Sequence, residues 1–444
     1  MLANVSETAQ EEADLRRGHK YDLHYTSPPA ADLTDLDLFT KGQPFGAFAK
    51  MREAAPVCWH DEEEGAGFWA LTKYQDIRAV ELDTKTFSSQ KGGILMNYGH
   101  ADARHPLLHR ASLDAMINLD QPYHFPLRRE HMPFFTPAYV ANLRERVDAK
   151  VTALLDAMEA KARDTGGPID MVESFSAELP LFTLCEILGV AEADRPKLIK
   201  WMHYLEVSAD TMRKGEAIDP QFFGAFVENV LEMFEYGKTV LKARRADPKP
   251  DLLSAIANAE VDGELLSDEM LDGSWLLIVF AGNDTTRNSL SGTMKLLTEF
   301  PEEKQKLIED PSRISNMVHE AIRMVSPVIY MRRTATQDAE INGQKIAEGE
   351  KVVMYYGAAN RDPCVFAEPD RFDIARTNAK EHLAFGLGPH VCLGQRVANM
   401  QLEAAYRQIL ARFPDIEWTG NIDIAPNNFV HAISRLDVDP GPKT

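Results

Sequence analysis

The chain has 444 residues, 44% of them hydrophobic and 26% charged, which suits a globular protein with a sizeable core. Its net charge of −20 argues against a nucleic-acid binder, because phosphate contacts need a basic surface. Met1 to Tyr25 is polar and charged with no long apolar span, so a cytoplasmic protein with no membrane association is expected.

Residues 1–35 read as a loosely structured extension, with Pro28-Pro29 and scattered acids. Residues 56–80 alternate like short strands (Val57, Trp59, Phe68, Ala70, Thr72) and then pass into a helix. Residues 88–120 lack periodicity and contain Gly92-Gly93 and Gly99, which predicts a long irregular connection of the kind that carries function. From about 138 to 240 the spacing is helical, punctuated at Gly166-Gly167-Pro168, Gly189 and Gly215. Ser267 to Phe300 predicts one helix, capped by Ser267, with Asp268 and Glu269 at its positive end and Pro301 as its stop. Roughly 33 residues at ~1.5 Å each make a rod of about 50 Å, long enough to cross a domain. Ser312 to Met324 predicts a short helix, 327–357 strands with a turn at Asn342-Gly343, Leu393 to Phe413 a last helix, and the tail after Trp418 strands again. No Ser- or Gly-rich linker divides residues 1–444, so one mainly helical domain with small β-sheets is expected.

Four segments break the local pattern. The four cysteines (Cys58, Cys185, Cys364, Cys392) form no CxxC pair, and only Cys392 has unusual surroundings. It lies in Phe385-Gly386-Leu387-Gly388-Pro389-His390-Val391-Cys392-Leu393-Gly394, at the start of a helix. Glycines permit tight turns and close approach to a flat ligand, and a helix N-terminus favours thiolate over thiol. That combination is what an iron-bound thiolate requires; the plainer account is a glycine-rich loop around a structural cysteine. Ala281-Gly282-Asn283-Asp284-Thr285-Thr286 interrupts the apolar run Leu276 to Phe280 with poor helix formers. An acid beside a hydroxyl in an apolar setting suits a proton relay, and a helix bent by a back-bonding threonine fits the same residues equally. Glu320 and Arg323 share one helix face at i, i+3, either as a solvated pair or, joined by Arg371 of Glu368-Pro369-Asp370-Arg371-Phe372, as a buried network. His124 and Arg128, one helical turn apart, suit a carboxylate partner or a plain basic surface.

In this order the four segments resemble the cytochrome P450 family, over essentially the whole chain from about residue 35 onward. The cysteine string matches F-x-x-G-x-H-x-C-x-G, the helix string matches A-G-x-D-T-T, and Glu320, Arg323 and Arg371 match the E-x-x-R pair and its later arginine. The resemblance implies the family's triangular-prism fold, with haem b (iron protoporphyrin IX) between the long central helix and the Cys-loop helix. It implies Cys392 as the iron ligand and His124, Arg128, Arg333 and His390 as propionate partners. Ala281, Gly282, Phe385 and Gly386 would lie against the haem. Asp284 and Thr285 would deliver protons during oxygen activation, while Glu320, Arg323 and Arg371 would be structural. The implied activity is that of an oxidoreductase acting on paired donors: two electrons and two protons are used with O2 to hydroxylate a C–H bond.

No flavin, nicotinamide or iron–sulfur motif is fused to the chain. Electrons from NAD(P)H are therefore expected through a separate ferredoxin and its reductase, docking on the cysteine side where Arg129 and Arg396 are candidate contacts. Asn283 to Ser289, Met331 to Ala335 and Asn428 to His431 look most like soluble bacterial enzymes acting on alkanes, terpenoids or steroid side chains. By the same resemblance a hydrophobic substrate would be lined by Ile94, Leu95, Met96, Leu277, Phe280, Ala281, Ile329, Met331, Phe429 and Val430. Tyr98 would join the roof, and Asn97 or Asn118 would place one polar group. A monomer is expected. A haem-thiolate peroxygenase or isomerase and a non-catalytic haem-binding protein are the alternatives. The sequence departs from the family pattern at Gln121 and Pro126 around His124, and at Ala432 and Asp437, where Gly and Pro are usual.

Overall fold

The computed structural model describes residues 20–62, 65–96, 106–207, 219–261 and 263–441. Most of the 1–35 extension, together with Asn97, Tyr98, Gly99 and Gly215, lies outside them.

Thr136 starts the Pro137–Thr165 helix: its hydroxyl accepts the N–H of Tyr139, and Pro137 occupies a first-turn position that needs no donor. Val140, Leu143, Val147, Val151, Leu154 and Met158 form its buried stripe, which packs on the Gln395–Arg412 helix. Gly166, at φ 68°, ends it in the left-handed conformation. The Pro220–Ala246 helix crosses the Asp268–Ala281 helix where Gly237 has no side chain. Trp275 fills the space and donates its indole N–H to the Met233 carbonyl at 3.0 Å.

The single helix expected over Ser267–Phe300 is two, Asp268–Ala281 and Asp284–Glu299. Ser267 caps the first as expected, its hydroxyl accepting from Met270 N. The break falls at Gly282 and Asn283, before either threonine. Gly282 and Asn283, both poor helix formers, occupy the break. The 88–120 connection is only partly irregular, since Pro106–Leu113 is a helix and Met116–Asn118 a 3-10 turn. That helix packs on Asp268–Ala281, where Gly273 admits the backbone of Asp114 and Ala115. Two turns with only two buried residues carry too little periodicity to be read from sequence.

A five-stranded sheet runs in the order Val57–His60, Phe68–Leu71, Lys351–Tyr355, Tyr330–Ala335, Phe87–Ser88. Only the Lys351–Tyr355 to Phe68–Leu71 pairing is parallel. Asn342 and Gly343, at φ 49° and 83°, close the hairpin between Ala339–Ile341 and Gln344–Ile346 as a two-residue turn needs. The tail strands Glu417–Ile424 and Ile433–Asp439 pair with each other and with Ile169–Asp170. The largest apolar cluster lies among the helices, and two smaller ones cover the faces of the five-stranded sheet. Among the described residues no helix is long and apolar enough to cross a membrane.

Candidate active site

Cys392 ends a loop that two glycines turn. Gly386 and Gly388 stand at φ 67° and 70°, and a Cβ on Gly388 would come within 2.8 Å of the Glu81 carbonyl oxygen. The loop closes where Cys392 N–H donates to Phe385 O at 2.8 Å. Just before the Gln395–Arg412 helix, the N–H groups of Gly394 and Gln395 reach the Cys392 sulfur. Burial pushes its thiol up, while those donors and the Arg128 guanidinium pull it down. Cys58 and Cys185 differ: both are buried, both are pushed up to about 11, and neither has backbone donors turned on its sulfur. Cys364 is exposed.

The four expected propionate partners converge. His124 opens the His124–His131 helix, so Pro126 does not displace it; its ring lies 4.1 Å from that of His390. Burial and Arg128 push His124 down to about 4, and burial, Arg333, His124 and Arg128 push His390 down to about 2. Both imidazoles are therefore neutral donors or acceptors. Arg128 donates to Val391 O at 2.6 Å, tying its helix to the cysteine loop. His390 Nε2 is 3.3 Å from Ser89 Oγ. Arg333 is buried in its strand, donating to Arg332 O at 2.8 Å and to Glu81 Oε2 at 3.0 Å, and its buried Nε has no partner among the described residues.

At the helix break, Ala281 is exposed although Val279 and Asn283 are buried, and Gly282 and Thr285 are partly open. Ala281 ends the Asp268–Ala281 helix, and its surface and that of Gly282 are left open beside buried Val279 and Asn283. Asp284 is buried, with Asn283 Nδ2 at 3.4 Å and Arg287 Nη2 at 3.8 Å. Asn288, fully buried, donates to Asp284 O at 2.8 Å and accepts from Ile433 N at 2.7 Å. The break is thereby pinned to the tail strand.

Glu320 and Arg323 are both fully buried in a two-pronged pair, each contact 2.8 Å. The third member of the network is Arg376, not Arg371. Arg376 Nε lies 3.0 and 3.1 Å from the two Glu320 oxygens. Among the described residues the Arg371 side chain, 54% exposed, reaches only Glu368, while its carbonyl accepts from Arg323 and Arg376. Carbonyls of Asn360, Pro369, Ala367 and Glu368 take the remaining guanidinium donors, so the arginines' charge is hydrogen-bonded throughout.

Of the expected substrate-lining residues, Leu95, Leu277, Phe280, Ala281, Met331 and Phe429 keep exposed surface. Ile94, Met96, Ile329 and Val430 are buried. Met96 and Ile329 belong to the apolar cluster on the sheet, Met96 sulfur accepting from Tyr355 hydroxyl at 3.7 Å, so both read as core rather than lining. Asn118 spends its amide on Ser112 O at 2.5 Å. The tail departures are absorbed locally: Ala432 O accepts from Ala425 N, and Asp437 accepts from Arg435 and Asn421.

The residues fit a haem. A sulfur with donors turned on it, two arginines and two neutral imidazoles around an orphaned guanidinium N–H, and a helix cut back to Ala281 and Gly282 match a flat, iron-bearing group with carboxylates. Sequence reasoning missed Glu81, Asn288 and Arg376. The available signals were an acid on the apolar face set by Ile77 and Val80, an asparagine within a buried helix run, and a second arginine five positions after Arg371.

The profile of the family described as "Cytochrome P450" matches residues 107–420. A linalool 8-monooxygenase from Pseudomonas putida is 35% identical over 424 residues, covering 93% of this chain and 99% of that protein. A steroid C26-monooxygenase from Mycobacterium tuberculosis is 30% identical over 420 residues, covering 93% of each. The solved structure of a Mycobacterium marinum cytochrome P450 in complex with pseudoionone matches with a TM-score of 0.81 at 32% identity, covering 95% of this chain and 99% of that one.

Proposed function

From the premise that the chain belongs to the cytochrome P450 family and is a monooxygenase, we propose that it hydroxylates a hydrophobic small molecule of terpenoid, alkane or steroid-like type in the cytoplasm. The observation that carries this reading is Cys392, its sulfur met by two backbone N–H groups at a helix N-terminus beside Arg128. Bound haem b supplies the chemistry of oxygen activation and C–H hydroxylation. Cys392 holds the iron as thiolate, and the helix N-terminus together with Arg128 keeps that charge tolerable away from water. Arg128, His124, His390 and Arg333 orient the group through its carboxylates. Ala281, Gly282, Phe385 and Gly386 would lie against the group. Asp284 and Thr285 would hold and pass protons within the site.

Leu95, Leu277, Phe280, Met331 and Phe429 hold the substrate by burial, which selects for size and apolarity more than for a functional group. Names of the relatives (linalool, steroid C26, and the pseudoionone complex) support a terpenoid-like class. Electrons come from NAD(P)H through a reductase and an acidic ferredoxin. Arg129, 64% exposed, and exposed Arg396 offer that partner positive charge on the cysteine side.

Two measurements test this. Wild-type protein, reduced under CO, is expected to give the thiolate-type spectrum and Cys392→Ser to lose it; a retained spectrum refutes the ligand assignment. Titration with terpenoids, alkanes, fatty acids and steroids is expected to move the Soret band to high spin for one hydrophobic class. A turnover with 18O2 that leaves the product unlabelled would refute the monooxygenase route.

A further inference from the structure

The Tyr74–Leu82 helix turns Ile77, Val80 and Glu81 inward and leaves Leu82 exposed. Glu81 is 1% exposed, so its carboxylate is held within the apolar side of the helix. One oxygen accepts from Arg333 Nη2 at 3.0 Å, and the other accepts from the Tyr356 hydroxyl. Burial and the Glu81 charge hold Tyr356 well above the usual phenol range, so it remains a donor. The same residue lies under the cysteine loop: a Cβ on Gly386 would stand 3.3 Å from Glu81 Oε1, and one on Gly388 2.8 Å from Glu81 O. Arg333 in turn bears on His124 and His390.

An acid buried in the middle of a carboxylate-binding cluster opposes the very charge that the cluster is built to hold. Burying it is expensive unless it has a partner, and its partner here is one of the cluster's two arginines. We infer that Glu81 is a positioning residue that fixes the Arg333 guanidinium beside the Cys392 loop and offsets its charge, so that the ferric form of the bound cofactor is favoured over the ferrous form. The inference rests on the reading that Cys392 and these cations hold haem. Reduction adds one negative charge, which a neighbouring carboxylate disfavours and an uncompensated guanidinium favours. A nearby unit charge at an effective dielectric of about 20 shifts such an equilibrium roughly three- to tenfold, after some solvent screening.

The test is spectroelectrochemical titration of the ferric/ferrous couple in substrate-free holoprotein. Glu81→Gln is expected to raise the ferrous-to-ferric ratio at a fixed ambient potential about three- to tenfold, tenfold being about 59 mV for one electron. Glu81→Asp, which keeps the charge, is expected to stay within about twofold of wild type. An unchanged ratio in Glu81→Gln, or equal shifts in the Gln and Asp variants, overturns the inference. If Glu81→Gln does not retain haem, Glu81→Met, which fills the buried position without a charge and leaves Arg333 in place, is the second probe and is expected to raise the ratio by about the same three- to tenfold. An unchanged ratio there overturns the inference too. A wild-type protein without the thiolate-type CO spectrum would instead overturn the underlying haem reading.

Discussion

Replacing Arg376 by Met should damage the protein far more than the same change at Arg371. Arg376 is 7% exposed and makes five hydrogen bonds: two to Glu320, and one each to the carbonyls of Ala367, Glu368 and Arg371. Its loss leaves Glu320 with Arg323 and the Asp373 N–H and takes the guanidinium donor from the Ala367 carbonyl, while the Glu368 and Arg371 carbonyls keep Arg371 N and Arg323 Nη2; breaking a buried pair of this kind costs about 3–5 kcal/mol. Among the described residues the Arg371 side chain makes one polar contact, 3.4 Å to a glutamate that is itself 74% exposed, and such a pair contributes about 0–0.5 kcal/mol. With about 2.1 cal/mol/K of unfolding entropy per residue, a chain of this length unfolds with roughly 0.9 kcal/mol/K, so Tm should fall about 3–5 °C for Arg376→Met and less than about 1 °C for Arg371→Met. Scanning calorimetry of both holoproteins, with haem content from the Soret band, reads the difference. Equal losses in the two variants, or a loss under 1 °C at Arg376, would refute the assignment of the third corner.

Thr285→Ala is expected to keep the substrate-induced Soret shift while diverting most NAD(P)H to hydrogen peroxide; unchanged coupling would remove Thr285 from the proton path. Asn288→Ala should lower Tm by about 1–3 °C, because it leaves the buried Ile433 N–H without its acceptor. It should also weaken substrate binding through Phe429 and Val430, which precede that strand, and unaltered binding would uncouple the tail from the site. Asp272, 8% exposed, is pushed up to about 6 by burial, with Asp268, Glu269 and Glu235 adding to the rise and Lys238 opposing it. Its folded form binds the proton more tightly than the unfolded chain, so its stabilisation is complete below pH ~3.8 and is lost as pH rises through about 6. Asp272→Asn should therefore raise stability by about 1–3 kcal/mol at pH 7.5 and by little near pH 4, and a gain independent of pH in thermal melts would refute the buried-charge account.

Much of the site was legible because its chemistry is local. The glycines that turn the cysteine loop, the cysteine itself and the helix that follows it lie within one short string, and backbone geometry fixes their relation. The strands at 57–60 and 68–71, the Asn342-Gly343 hairpin and the Ser267 cap were legible for the same reason. Ala281 to Thr286 announced a disturbed helix, but not that the helix would end and restart, because that depends on whether neighbours satisfy the freed backbone. Asn288 and Ile433 supply one such contact, from 145 positions away.

What only tertiary structure decided are the partnerships of buried charge. Arg371 and Arg376 lie five residues apart and both offer the same guanidinium; which one reaches Glu320 depends on how the 367–376 segment folds over the helix, turning one inward and the other to solvent. Glu81 and Arg333 are 252 positions apart, and nothing near either residue signals the other. Met96 and Ile329, expected in the pocket from the family resemblance, lie in the apolar cluster on the sheet, since an apolar side chain carries no mark of which apolar surface it will cover. Sequence determines what each residue can do with its neighbours along the chain, because bond geometry and helix periodicity act over a few residues. Which distant group desolvates, pairs with or covers it is set only when the whole chain packs, because burial belongs to the assembly of elements and not to any one of them.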